Sequence, residues 1–192
     1  MDAEQARVLD FWFRELTPAD WFGAAESLDP IVQSRFGGLH RQAFGGGLED
    51  WAESPLGRLA LIIVLDQFSR HIFRGSADAF ASDGRAQKLA VDGVEQGIDE
   101  QLSFAQRHFF YMPLMHAEDL ELQRLSVECF ARLQTFADQL LGFAKSHQEE
   151  VQRFGRFPHR NAALGRGDTD AESSFMSERK MAALSNPNSK TA

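Results

Sequence analysis

Three stretches of the chain concentrate side chains able to hold a polar molecule or move a proton. Asp66, Gln67, Arg70 and Arg74 close the apolar run from Leu59 to Leu65; positions 66, 70 and 74 recur at steps of four, one face of a helix. Tyr111, His116, Glu118, Asp119 and Gln123 form the second stretch, with 116, 119 and 123 again on a shared face. Arg153, Arg156, His159, Arg160 and Asn161 gather around "GRFPHRN", where Gly155 and Pro158 end a helix and stiffen the turn. Guanidinium groups present planar paired donors to carboxylate or phosphate, and histidine changes role near neutral pH. These types suit an Arg/His-lined polar pocket for a small anionic ligand or an acidic peptide end. Arg70, Arg156 and Arg160 would supply charge, His159 and Asn161 orientation, and His116 with Asp119 a second wall. Such a pocket requires the three stretches to converge.

The same residues admit two other readings. In a structural one, Asp66 and Arg70 satisfy each other, Glu118 or Asp119 caps a helix start, and the later arginines meet helix carbonyls or acids such as Asp66 and Glu118. In a catalytic one, a hydrolase uses His159 or His116 as general base with Asp66 or Asp119 orienting it. No nucleophile elbow, phosphate-binding glycine loop, zinc motif or dinucleotide fingerprint accompanies them, so no catalytic residue is assigned. Di-metal helical bundles pair Glu-x-x-His motifs on two helices, and no second copy exists, so neither metal nor cofactor is expected. The glycine-rich "GGLHRQAFGGG" at 37–47 follows a helix rather than a strand and reads as a loose helix end or loop.

The elements that must carry these groups are helical. Asp29-Pro30 and Ser54-Pro55 look like N-caps followed by proline; Gly75, Gly97 and Gly155 sit where left-handed C-terminal caps stop helices. Apolar spacing predicts helices over 3–16, 30–44, 55–72, 83–96, 102–111, 117–133, 136–154 and near 169–178. Pro113 is expected to interrupt the helix before it. The reading is an all-α fold of antiparallel helical hairpins, about seven to nine helices in a single domain over 3–178, with a flexible tail over 179–192. No repeat at the 34-residue tetratricopeptide period stands out.

Composition narrows the function. A net charge of −8 and a pI near 5.2 argue against nucleic acid, which needs a basic face. The longest aliphatic run is far shorter than the ~20 residues of a membrane span, so no membrane association and a cytoplasmic location are expected. The one cysteine, Cys129, lies in an apolar helical stretch and reads as a small buried hydrophobe rather than a nucleophile.

Four segments in order, "LDQFSRHIFRG", "AFASD", "FFYMPLMHAEDLELQ" and "RFGRFPHRNAALGR", resemble the signature segments of a bacterial family known as domain of unknown function 924. The likeness runs from the first helix to the segment Glu172–Phe175. It departs at Ser69 and His71, where the family pattern has proline and asparagine. The resemblance implies a compact all-α fold similar to tetratricopeptide-like hairpins and implies no activity. Since such folds often bind proteins on their outer surface, a protein-interaction scaffold is the alternative function.

Overall fold

The structure, a computed structural model, describes residues 2–22 and 25–185. It is all-α, with no strand among the described residues. Helix α1 spans Ala3–Asp10 and widens into a π-helical turn, Phe11–Glu15; α2 is Pro18–Phe22 and α3 Asp29–Phe44. Helix α4, Pro55–Ile62, passes through a second π-helical turn, Ile63–Phe68, into α5, Ser69–Ile72. Then follow α6 (Asp83–Glu95), α7 (Phe104–Met115), α8 (Leu120–Phe154) and α9 (Asp170–Ser185), with short 3-10 turns between several of them.

The helix starts follow local chemistry. Ser54 accepts a hydrogen bond from the Gly57 amide at 3.2 Å, and Asp2 with Gln5 and Ser103 with Gln106 form reciprocal capping boxes. Gly75, Gly97 and Gly155 all adopt the positive φ expected of left-handed caps. Asp29 departs from expectation: it lies inside the first turn of α3 behind Leu28, and its carboxylate serves His71 and Arg74 rather than the helix end.

The chain divides into two compact units, Met1–Leu133 and Gln134–Ala192. In the first, every residue from Leu59 to Leu65 is fully buried. Around this run pack Val8 of α1, Phe11 and Trp12 of the π-helical turn after it, Phe36 of α3, Ala86 and Ala90 of α6, and Phe109, Phe110 and Leu114 of α7. Each such large side chain contributes about 1.5–3 kcal/mol by leaving water. Cys129 belongs to this core, and burial pushes its thiol pKa up, away from nucleophilic behaviour.

Three boundaries differ from the sequence expectation. The two helices expected over 117–133 and 136–154 form the single helix α8, because nothing between Leu133 and Phe136 is a glycine or proline able to break it. Pro113 sits inside α7, which continues two residues beyond it, the His116 amide still reaching the Met112 carbonyl at 3.0 Å. Helix α9 extends to Ser185, into the segment expected to be a mobile tail over 179–192. Thr169 and Glu172 bond each other's amides at its start, Phe175 packs on Phe154, and Arg179 reaches Glu150 at 2.9 Å. Residues 186–192 of that expected tail lie outside the described residues.

Candidate functional site

Four chain segments of the first unit meet at one place. The π-helical turn carries Asp66, and such turns, with one residue more in the hydrogen-bonded loop, frequently mark functional positions. Helix α5 adds Arg70, the first turn of α6 adds Asp83, and the end of α7 adds His116. The Asp66 side chain is 1% exposed. Its Oδ1 lies 3.0 Å from both His116 Nδ1 and Arg70 Nη1, and its Oδ2 accepts from the Gln67 side-chain Nε2. A carboxylate so deep in the fold persists only when its lone pairs are occupied, and here they are.

Arg70 is equally committed. Its two terminal nitrogens reach the two oxygens of Asp83, each at 3.0 Å, while Nη1 also donates to the Asp66 carbonyl at 2.7 Å. The guanidinium lies over the Phe80 ring, 5.6 Å from its centroid. Beside this cluster opens a cavity of about 660 Å³ lined by Arg70, Phe80, Asp83, Gln87, His116, Glu118 and Asp119. Because Asp66 holds His116 through Nδ1, the ring is oriented and its tautomer fixed, and Nε2 has no protein partner among the described residues.

The other residues expected in this region have structural employment. Arg74 and His71 grip Asp29, whose pKa falls mainly because of the Arg74 hydrogen bond. Tyr111 is buried and donates to Asp99; burial first, then that carboxylate, push its pKa up. Gln123 Nε2 donates to the Met115 and Ala117 carbonyls, both at 2.8 Å, and Asp119 Oδ1 accepts from the Leu122 amide at 2.9 Å as a helix cap.

The third stretch belongs to the second unit and forms its own network. Arg156 is paired with both oxygens of Glu172, at 2.6 and 2.8 Å, and donates to the Gly167 carbonyl at 3.0 Å. Glu172, 2% exposed, also accepts from the Thr169 amide, and these bonds, Arg156 first, hold its pKa well below the usual carboxylate range. His159 Nδ1 stands 3.3 Å from Glu150, which Arg179 neutralises from the other side. Asn161 donates to Asp168 at 2.7 Å, Arg160 lies over Phe157, and Arg153 lies over Phe154 and Phe175. Of these arginines Arg156 meets an acid, Glu172 rather than Asp66 or Glu118, while Arg153 and Arg160 lie over aromatic rings.

Asp83 and Gln87 line the cavity without having been singled out from the sequence. The signal was present: Asp83 closes "AFASD", and Gln87 lies four residues on, on the same face of α6. Among the described residues no group of three or more His, Cys, Asp or Glu is placed to hold a metal ion. No described helix is long and apolar enough to cross a membrane.

An all-α fold with a buried carboxylate, a histidine and a paired arginine beside a polar cavity defines the class of protein. The chain belongs to the bacterial family described as "Bacterial protein of unknown function (DUF924)", whose sequence profile matches residues 8–180. Among solved structures it is similar to the protein of unknown function ATU0120 from Agrobacterium tumefaciens, with 36% identity and a TM-score of 0.64 over 92% of this chain and 98% of that one. No curated protein matches the sequence.

Proposed function

We propose that the cavity over Asp66 binds a small polar molecule and that His116 Nε2 exchanges a proton with it. The observation that carries this reading is the pairing of His116 Nδ1 with the buried Asp66 at 3.0 Å, beside a cavity of about 660 Å³. A carboxylate that orients an imidazole and leaves its other nitrogen available is the arrangement of a general acid–base group. None of the lining residues is Ser, Thr or Cys, so no hydroxyl or thiol of the cavity wall stands beside His116 for it to deprotonate.

The sign of the walls favours an amine over the anion suggested by the arginine content. Asp83, Glu118 and Asp119 line the cavity against one guanidinium, and that guanidinium is already held by Asp66 and Asp83. An anionic molecule would have to displace Asp83 from Arg70 and approach two further carboxylates. A small amino alcohol or amine meets acceptors directly. A second reading, a protein-interaction scaffold, draws on Phe136, Leu140 and Phe143 of α8, exposed at helical spacing in the second unit.

The test is a thermal-shift and calorimetric comparison of amino alcohols, carboxylates and inorganic phosphate on the parent and His116→Gln. At a hundredfold excess over Kd an amine ligand adds about 2.7 kcal/mol to the parent and nothing comparable to the variant. Stronger binding of carboxylate or phosphate reverses the assigned sign. Equal binding to parent and variant removes His116 from the site.

A further inference from the structure

His40, on α3, is 3% exposed and takes no part in the cavity above. Its Nε2 lies 2.7 Å from Ser69 Oγ. Ser69 Oγ is in turn 2.7 Å from the Leu65 carbonyl and 2.9 Å from Ser82 Oγ, and Ser82 Oγ is 2.9 Å from the same carbonyl. These are four contacts, and a carbonyl only accepts. Two hydroxyl hydrogens can serve at most two of them. A hydrogen on His40 Nε2 serves a third and frees Ser69 to donate to Leu65. The packing therefore selects the Nε2–H tautomer, and burial, with Arg41 adding to it, pushes the ring's pKa down and keeps it neutral.

The Nδ1 atom of His40 is then a bare acceptor. It has no protein partner among the described residues, and it is not one of the sealed unpartnered atoms, which are Trp12 Nε1, His108 Nε2, Asn161 Oδ1 and Arg166 Nε. It keeps a solvent edge, and His40 lines a cavity of about 270 Å³ together with Arg41, Phe44, Phe73, Asp78 and Ala81. This lining shares no residue with the Asp66 cavity. Phe44 stacks on the imidazole at 19°, and Phe73 stands edge-on to it with centroids 5.3 Å apart. The volume falls below the roughly 300–1,000 Å³ of pockets for drug-sized ligands, and aromatic walls favour a flat ring. Ser69 is fully buried, so its contact with His40 sets the tautomer and is not a nucleophile–base pair.

We propose that this cavity is a second binding site, taking one small aromatic ring that carries a hydroxyl donor, a phenol-class molecule, with the donor bonded to His40 Nδ1. The imidazole accepts through Nδ1 while Ser69 holds the opposite nitrogen, so the site reads the donor and the phenylalanines read the ring.

The test titrates the whole protein, labelled with ¹⁵N at histidine, with phenol and with toluene, which offers the same ring without a donor. His40 resonances are assigned by their loss in His40→Gln. Before ligand, Nδ1 should resonate as the unprotonated nitrogen; phenol should saturate and move it upfield, and toluene should bind at least tenfold more weakly. Equal affinity for the two probes overturns the proposal, as does a bound phenol that leaves the Nδ1 resonance unmoved. Failure of phenol to saturate, or a proton found on Nδ1 in the free protein, also overturns it. Each decisive reading is taken on the parent chain, so the outcome does not depend on whether His40→Gln folds.

Discussion

The two units are built around the same ingredients and use them differently. Each sinks a carboxylate almost completely, Asp66 at 1% exposure and Glu172 at 2%. Each sets an arginine in a paired grip on an acid, Arg70 on Asp83 and Arg156 on Glu172, and each holds a histidine through Nδ1 on a buried acid. In the first unit the histidine that results lines a cavity and keeps a nitrogen to offer. In the second, the cavity of about 610 Å³ near Arg156 is walled by Arg156 and Glu172 already joined to each other and by Arg153 lying over Phe154, with no histidine among its lining. "GRFPHRN" is thereby a lock: it ties the end of α8 to the start of α9 through Arg156 and Glu172. Residue type does not separate a site from a brace; the lone pairs and hydrogens left over after internal pairing do.

The largest effect should come from Asp66→Asn. Removing the charge from this buried cluster leaves Arg70 and His116 sharing a neutral oxygen and sets an NH2 donor against the Gln67 donor, and breaking such a cluster typically costs about 3–5 kcal/mol. Trp12, Trp21 and Trp51 all lie in the first unit, so their fluorescence during urea unfolding reports that unit alone. A loss under about 1 kcal/mol would mean that Asp66 is held for chemistry and contributes little to the fold.

Arg156→Ala should do less, and in the other unit. It frees the buried Glu172 and the Gly167 carbonyl, so amide exchange in α9 and residues 155–170 should accelerate by at least about tenfold. Ligand binding at the Asp66 cavity and the tryptophan transition should hold. A variant that instead loses amine binding while α9 keeps its protection would turn the lock back into a site.

Much of this was legible in the sequence because the relevant forces are local. The all-helical class, the buried run from Leu59 to Leu65, the Ser54 cap and the left-handed glycines follow from spacing and cap chemistry. The break expected within α8 had no local cause: Leu133 and Phe136 are three residues apart, on one helical face, and neither residue between them is a glycine or proline. The pairing of the candidate site residues was not legible either. Arg74, Tyr111 and Arg156 have the types a site needs, but their partners, Asp29, Asp99 and Glu172, lie 45, 12 and 16 residues away, and spacing cannot show who is spoken for. Asp83 was missed although it closes "AFASD" with Gln87 four residues on, because that spacing does not show that this face of α6 meets Arg70, thirteen residues back.

The smallest effect, and the sharpest contrast between the units, should come from mild acid. Burial pushes the pKa values of His40 and His108 down, so the folded first unit takes up protons less readily than its unfolded chain. For such groups the stabilisation is fully present above the unfolded value of about 6.5 and is lost as pH falls below it. Glu172 is also depressed, but its contribution is present above the unfolded carboxylate value of about 4.3 and fails only as pH drops below that. Between pH 7 and 5 the urea midpoint read by tryptophan should therefore fall while α9 keeps its exchange protection. His108→Phe isolates the cause. The ring sits among Phe22, Phe109 and Phe130, and its Nε2 is buried without a partner, so phenylalanine fits an apolar setting and removes an unsatisfied atom. The variant should match or exceed the parent at pH 7 and lose less on acidification. An unchanged or steeper slope would remove the His108 ring as the source of the acid sensitivity.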